Sequence, residues 1–125
     1  MHNIKFSYLY RDGGNYKKWA DVVFSNPDGL TPEAVTKALE DAFLQDGLFI
    51  AHQIRVPEAF LFGEGHASSD DHCFHELDSV QASLEAPDDG HSRSISQFTA
   101  EVNREAKRGW MAFDPHDRLS QRIPD

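Results

Sequence analysis

The chain has 125 residues, with 12 Lys and Arg against 21 Asp and Glu, so its net charge is −9 when every His is neutral. A domain of this size with 39% apolar residues and nine Phe can bury an ordinary core, which excludes a disordered chain and a coiled coil. The sequence has no long apolar run or cationic leader and only one cysteine, Cys73, so we expect a soluble cytoplasmic protein, and its acidic balance disfavours direct nucleic-acid binding.

The chain opens with alternating apolar and polar residues, which is typical of a strand with one buried face. The apolar set is Ile4, Phe6, Tyr8 and Tyr10. Residues 12–15 (DGGN) tolerate positive φ, and residues 19–25 are again strand-like. The pattern therefore predicts a β-hairpin over residues 4–25.

The first predicted helix follows a turn at residues 26–29 (NPDG). Thr31 is a favourable N-cap, and Pro32 suits the first helical position. From Val35 to Phe43, apolar residues recur at i, i+3, i+4, i+7 and i+8. We expect a helix that starts at Pro32 and has Gly47 as its C′ residue.

The middle of the chain is predicted to return to β structure. Apolar residues at positions 48, 50, 54 and 56 have a period of two, which indicates a strand over residues 48–56 with His52 on its apolar face. Residues 59–62 are expected to form a short strand paired with it. Residues 63–71 (GEGHASSDD) have the composition of a loop.

Residues 72–84 fit two structures. A strand places Cys73, His75 and Leu77 on one face, whereas a helix aligns Cys73, Leu77, Val80 and Leu84 in one stripe. Period alone does not separate the two in so short a run. We favour a strand over residues 72–81, because it continues a β-rich middle.

The C-terminal part is predicted to be helical. Ser94 and Gln97 have the S-x-x-Q form of a capping box, and the apolar stripe after them ends at Gly109. The segment WMAF, residues 110–113, is too apolar for a free tail and is expected to pack on the core. The prediction is therefore a single domain over residues 1–115 and a loose C-terminal tail over residues 116–125.

The predicted order β-β-α-β-(β)-β-α indicates an α+β two-layer sandwich, with a mainly antiparallel sheet and two helices on one face. Its opening hairpin, helix and return strand resemble the β-grasp arrangement, a likeness of topology that implies no activity. The segments IKFSYLYRDGGNYKKW and HELDSV resemble small uncharacterised bacterial proteins that begin with an aromatic strand and an R-D-x-x-N-Y-K turn. This resemblance implies a bacterial origin and carries over no activity.

The negative charge is concentrated between Arg55 and Arg93, where there is no Lys or Arg. The nine acidic residues of this segment equal the net charge of the whole chain, because the other acids are balanced by the 12 cations. Charge runs are usually solvated faces. The alternative interpretation is a docking surface for a basic protein.

The same acidic segment contains residue types that zinc prefers, of which His66, Cys73 and His75 are the candidates. Cys73 and His75 would point the same way on a strand, but no H-E-x-x-H or paired C-x-x-C motif accompanies them. The simpler interpretation is a small core thiol beside hydrogen-bonded histidines. No metal, cofactor or catalytic residue is therefore assigned. A Cys73 nucleophile is disfavoured as well, because acidic neighbours raise a thiol pKa.

The predicted hairpin carries the candidate binding site, in which cations, an amide and aromatic rings lie close together. Its residues are Arg11, Asn15, Tyr16, Lys18 and Trp19. Such a mixture suits stacking on a base or on a side chain of a partner. In the alternative, Tyr16 and Trp19 pack inward and the charges protect an edge strand from aggregation.

The sequence therefore favours a non-enzymatic interaction protein with an acidic central face and a basic-aromatic hairpin. Regions of opposite charge can pair across a two-fold axis, so the expected partner is a second copy of the chain, in a homodimer, or a basic protein. One alternative is a metal-binding protein or metal-dependent hydrolase that uses His66, Cys73 and His75. Another is an inhibitor that sequesters a nucleotide or mimics nucleic acid.

Overall fold

A computed structural model describes residues 2–62 and 67–116 of the chain. The strands are β1 (Asn3–Arg11), β2 (Lys17–Phe24), β3 (Leu48–Phe49) and β4 (His75–Ser83), and the helices are α1 (Pro32–Ala42) and α2 (Ile95–Arg108). The sheet order is β2-β1-β4-β3, and all neighbouring strands are antiparallel. The predicted α+β class, with an antiparallel sheet and two helices, is confirmed. No described helix has the length and apolar character that crossing a membrane requires.

The predicted hairpin forms from β1 and β2. Ile4 lies opposite Phe24 at its open end, and Arg11 lies opposite Lys17 at its turn. The alternation of β1 buries Ile4, Phe6 and Tyr8 in the main core, as the period of two requires. That core lies between this inner face of the sheet and the two helices, which also contact each other.

Helix α1 begins as predicted but ends earlier than Gly47. The Thr31 side chain accepts a hydrogen bond from the Ala34 N–H at 3.1 Å, and Pro32 is the first helical residue. The helix ends at Ala42 because the chain then reverses through a 3₁₀ turn, Gln45–Gly47. Gly47, with φ of 73°, belongs to this turn, which the Leu44 N–H closes by donating to the Leu48 carbonyl.

The predicted strand over residues 48–56 is mostly wrong. Only Leu48–Phe49 forms β3, and Ala51–Ile54 is a 3₁₀ turn that ends at Arg55 in the left-handed region. The buried guanidinium of Arg93 donates to the carbonyls of Ile54 and Arg55, so these groups are unavailable to a sheet neighbour. His52 is exposed instead of lying on an apolar strand face, and residues 59–62 form no strand.

The C-terminal half agrees better with the predictions. The segment that fitted both a strand and a helix is a strand, β4, which pairs with β1 through a register shift between Ser7 and Tyr8. Helix α2 has the predicted capping box of Ser94 and Gln97 and ends before Gly109.

The WMAF segment packs only in part, and the tail is described only at its first residue. Trp110 Nε1 donates to the Ala42 carbonyl at 3.0 Å, whereas Met111 remains 55% exposed. Pro115 is buried, and His116 Nε2 donates to the Ala67 carbonyl at 2.8 Å. The remainder of the predicted loose tail, residues 117–125, lies outside the described residues.

Candidate functional site

The turn of the hairpin is organised by one carboxylate. Asp12 Oδ1 accepts hydrogen bonds from the backbone N–H groups of Gly14 at 2.9 Å and Tyr16 at 3.0 Å. Asn15 adopts φ of 67°, a conformation that asparagine tolerates in turns. Gly13 donates its N–H to the Asp70 carbonyl at 2.8 Å, and a Cβ at Gly13 would lie only 3.3 Å from that oxygen. The turn is therefore anchored to the loop that precedes β4.

Arg11 and Asn15, two of the predicted binding residues, are bonded to each other. Arg11 Nη1 donates to Asn15 Oδ1 at 2.5 Å, and Arg11 Nε donates to Glu76 Oε1 of β4 at 2.8 Å. The hydrogen bond that Arg11 donates to Glu76, together with the negative charge of Glu76, raises the pKa of Arg11. Because its charge is already matched by Glu76, Arg11 positions the hairpin and is not available as a free phosphate-binding cation.

Tyr16 and Trp19 are exposed and do not pack inward. The exposed fraction is 71% for Tyr16 and 57% for Trp19, both large for aromatic residues on a paired hairpin. Trp19 lies opposite Leu9 of β1 on the outer face of the sheet, the face turned away from the helices. Aromatic side chains held on a strand lose little further conformational freedom when a partner covers them.

Lys18 does not share a face with Trp19. It lies opposite Tyr10, and successive strand residues point to opposite faces of a sheet. Lys17 lies on the same outer face as Trp19, so it is the cation that accompanies this ring. We define the hairpin surface as the exposed side chains of Tyr16, Lys17, Lys18 and Trp19.

The acidic segment is less of an open face than its charge suggests. Three of its carboxylates pair with cations: Glu85 with Lys5, Glu76 with Arg11 and Asp89 with Arg93. Two more accept hydrogen bonds within the fold, Asp71 from the Tyr10 hydroxyl and Asp88 from the Val23 N–H. More than half of the nine carboxylates in this segment therefore pair or hydrogen-bond with other groups of the same chain.

Arg93 organises the largest internal charge network. Its Nε and Nη2 donate to the two carboxylate oxygens of Asp89, and its Nη1 lies 3.3 Å from Glu101 Oε2. Its planar guanidinium also lies over the rings of Phe24 and Phe98. Burial would raise the pKa of Asp89, but the hydrogen bonds from Arg93 outweigh it and lower that pKa. With the two backbone carbonyls that it also binds, Arg93 uses its whole donor set for structure.

Two of the three residues proposed for a metal site, Cys73 and His75, lie in the part of the chain that the structure describes. Among residues 2–62 and 67–116, no three metal-ligating side chains come together. His75 Nε2 accepts a hydrogen bond from the Ala59 N–H at 2.8 Å, and the His75 ring packs against Phe60 and Tyr10. His66, the third candidate, lies outside the described residues. His75 therefore fits the simpler interpretation of a hydrogen-bonded core histidine.

Cys73 lies in a setting that does not favour a nucleophile. The thiol is buried, and its sulfur accepts a hydrogen bond from the Phe113 N–H at 3.5 Å. Burial raises the pKa of Cys73. Because the thiolate is the reactive form, this environment suppresses its reactivity at neutral pH.

One open cleft of about 580 Å³ was not anticipated from the sequence. It is lined by residues 21–22 of β2, by residues between His52 and Glu58, and by the loop of residues 88–91, which includes His91. The Arg55 guanidinium at its rim is held by both carboxylate oxygens of Glu101 and also contacts His91. No sequence motif marks this cleft, because its residues come from three separate segments.

Comparison with known proteins gives no further guidance: no protein-family model matches this chain, and no curated protein or solved structure is significantly similar to it.

Proposed function

We propose that this chain is a non-enzymatic protein-interaction domain that contacts its partner through the hairpin surface. The observation that carries the proposal is the exposure of Tyr16 and Trp19, at 71% and 57%, next to two exposed lysines. Tyr and Trp are the residues that most often dominate binding energy at protein interfaces. Their placement on a hydrogen-bonded hairpin gives a partner a surface that is already ordered.

The internal bonds of the other candidate residues support a binding role over a chemical one. Arg11 is paired with Glu76, Cys73 is buried, and His75 accepts a backbone hydrogen bond in the core. None of these groups is presented to a substrate in a way that would favour proton transfer or nucleophilic attack. The buried free thiol of Cys73 is also compatible with a reducing compartment, so we assign the domain to the cytoplasm.

The acidic segment has a smaller part in this proposal than the hairpin surface. Asp70 and Asp78 are exposed, but the carboxylates of Glu76, Glu85 and Asp89 are matched by cations of the same chain. A basic protein would therefore meet a dispersed set of charges, whereas the hairpin offers a partner two exposed aromatic side chains within four residues, Tyr16 and Trp19.

A selection of displayed peptides tests the proposal. A random peptide library on phage is selected against the purified domain, and enriched peptides are measured against Trp19→Ala and, as a matched control, Leu84→Ala. Leu84 is 85% exposed, so both substitutions remove an exposed apolar side chain. We expect Trp19→Ala to weaken binding at least about tenfold and Leu84→Ala to leave it unchanged. Peptides that bind both variants as tightly as the original domain would refute the proposal.

A further inference from the structure

We propose that the partner is a second copy of this chain, bound in antiparallel register along the free part of β2, with Trp19 on the two-fold axis. This inference rests on the proposed function and names the occupant of its surface. The resulting dimer would extend the four-stranded sheet of one copy into that of the other. The strand that would pair is β2, an edge strand of the sheet.

The backbone at the C-terminal end of the β2 edge already forms hydrogen bonds within the chain. The Val23 N–H donates to Asp88 Oδ1 at 2.7 Å, and the Val23 carbonyl accepts the Asp88 N–H at 3.0 Å. The carbonyl of the next odd-numbered residue, Ser25, accepts the Ile95 N–H at 2.8 Å. Odd-numbered residues of this strand therefore direct their backbone groups away from β1.

The N-terminal part of the β2 edge, which follows the hairpin turn, is open. Lys17, Trp19 and Asp21 must present their N–H and carbonyl groups outward, in phase with Val23. In the described part of the chain, no group forms a hydrogen bond with these outward backbone atoms. The open stretch runs from Lys17 to Asp21, and Trp19 is its middle residue.

An antiparallel pair centred on this stretch is self-complementary. With Trp19 opposite Trp19 of the second copy, Lys17 of each copy lies opposite Asp21 of the other. All three pairs would be of the hydrogen-bonded type, in which the facing residues exchange both backbone bonds. The ladder would end at Asp21, just before the position that Asp88 already occupies.

The side chains agree with this register. Lys17, Trp19 and Asp21 share the outer face of the sheet, because they alternate with Lys18 and Ala20. Neither Lys17 nor Asp21 has an ion-pair partner among the described residues. Across the axis each lysine would face an aspartate, and the two exposed Trp19 rings would cover each other.

Neighbouring arrangements are less favourable. A register moved toward the C-terminus would require the Val23 backbone, whose groups are bound to Asp88. A register moved toward the turn would separate Lys17 from Asp21 and place the turn residue Asn15 opposite Asp21. The other sheet edge, β3, has only two residues, so edge pairing closes at two copies and does not extend into a fibre.

Charge reversal combined with mass measurement tests this dimer. Sedimentation equilibrium of the whole chain, from about 1 µM to 1 mM, should detect a species of twice 14.1 kDa. Lys17→Asp or Asp21→Lys alone should raise the dimer Kd at least about tenfold, because like charges then face each other twice. The double variant, Lys17→Asp with Asp21→Lys, should return the Kd to within about threefold of the original value.

Lys18→Asp is the matched control, because Lys18 would face Ala20 of the second copy on the opposite face of the sheet. It changes the net charge as Lys17→Asp does and should have a clearly smaller effect on the Kd. A chain that stays monomeric over the whole range, or a double variant as weak as the single ones, would refute the dimer. Peptides that still bind the hairpin surface in that case would leave the proposed function intact, so the two failures are distinguishable.

Discussion

Arg93 donates hydrogen bonds to both carboxylate oxygens of Asp89, at distances of 2.9 and 3.0 Å. The two residues are four positions apart in the sequence, and both side chains are buried. The side chains are 6% and 3% exposed, so this bidentate pair is almost removed from water. This pair connects the loop of residues 88–91 to the 3₁₀ turn Ala51–Ile54 and to α2, because Arg93 also binds the Ile54 carbonyl and Glu101. Much of the stability of the middle segment should therefore depend on one cation.

Removing this cation should destabilise the protein severely. Arg93→Ala leaves the buried Asp89 without a matching charge, while Glu101 keeps only its pair with Arg55, and we expect the free energy of unfolding to fall by about 3–5 kcal/mol. Arg93→Lys should also destabilise, because a lysine has three donors and no planar fork for the carboxylate. Urea unfolding measures both. The control is Lys37→Ala, whose exposed pair with Asp41 should contribute at most about 0.5 kcal/mol.

The stability contributed by Asp89 should disappear in acid. Hydrogen bonds from Arg93 hold the pKa of Asp89 below its ordinary value, despite its burial. The unfolded chain therefore binds more protons as the pH falls, and the contribution of Asp89 is present above its unfolded pKa and is lost as the pH falls through the folded one. Asp89→Asn should destabilise by about 1–3 kcal/mol at pH 7 and by less at pH 3, which lies below the ordinary pKa of an aspartate. Urea unfolding at both pH values checks this, and an equal loss at both would contradict it.

His116 should titrate above an ordinary histidine. Its Nδ1 donates to Asp114 Oδ1 at 3.0 Å and its Nε2 to the Ala67 carbonyl at 2.8 Å, and both bonds require the imidazolium. The hydrogen bonds that the ring donates to Asp114 and to the Ala67 carbonyl raise the pKa of His116. The stabilisation is complete below the unfolded pKa and is lost as the pH rises through the folded one.

An NMR titration of the His116 ring measures this pKa directly. We expect Asp114→Asn to lower it toward the value of a free histidine. An unchanged His116 pKa in Asp114→Asn would mean that the Asp114 contact does not determine its protonation.

Gly47 should resist substitution more than Gly90. Gly47 has φ of 73°, and a Cβ there would lie 3.3 Å from the Leu77 Cβ, whereas a Cβ at Gly90 would meet nothing within 4 Å. Left-handed backbone costs an L-residue about 1–2 kcal/mol, so Gly47→Ala should destabilise by at least that amount. Gly90→Ala should change the unfolding free energy by less than about 0.5 kcal/mol. Comparable losses in both variants would refute the role assigned to the turn.

Cys73 should be inert in the folded protein. It is 3% exposed, and its buried thiol has a raised pKa. We expect an aromatic disulfide reagent to label Cys73 at least about 100-fold more slowly in buffer than in denaturing urea. Rapid labelling of the folded protein would instead indicate an accessible thiolate and revive the catalytic interpretation of this residue.

Local patterns in the chain were sufficient to predict the hairpin and both helix starts, but over residues 72–84 they fitted a helix as well as the strand β4 that forms. These patterns act over a few neighbouring residues, so the sequence alone reveals them. They are the alternation of Ile4, Phe6 and Tyr8, the cap at Thr31 and the capping box of Ser94 and Gln97. The residues of the candidate site could be recognised for the same reason, because all five are close together in the sequence.

Long-range contacts decided the rest. Ile50, Ile54 and Val56 are buried in and beside the 3₁₀ turn Ala51–Ile54, where Arg93, far along the chain, binds the carbonyls of Ile54 and Arg55. The acidic segment likewise resembles one open face in the sequence, but cations that are distant along the chain pair with Glu76 and Glu85. Which side chains of the hairpin remain exposed also depended on tertiary packing, because Glu76 engages Arg11 while Trp19 stays 57% exposed. Sequence periodicity specifies which side chains can share a face, but only the folded chain determines which charges meet and which aromatic rings stay exposed.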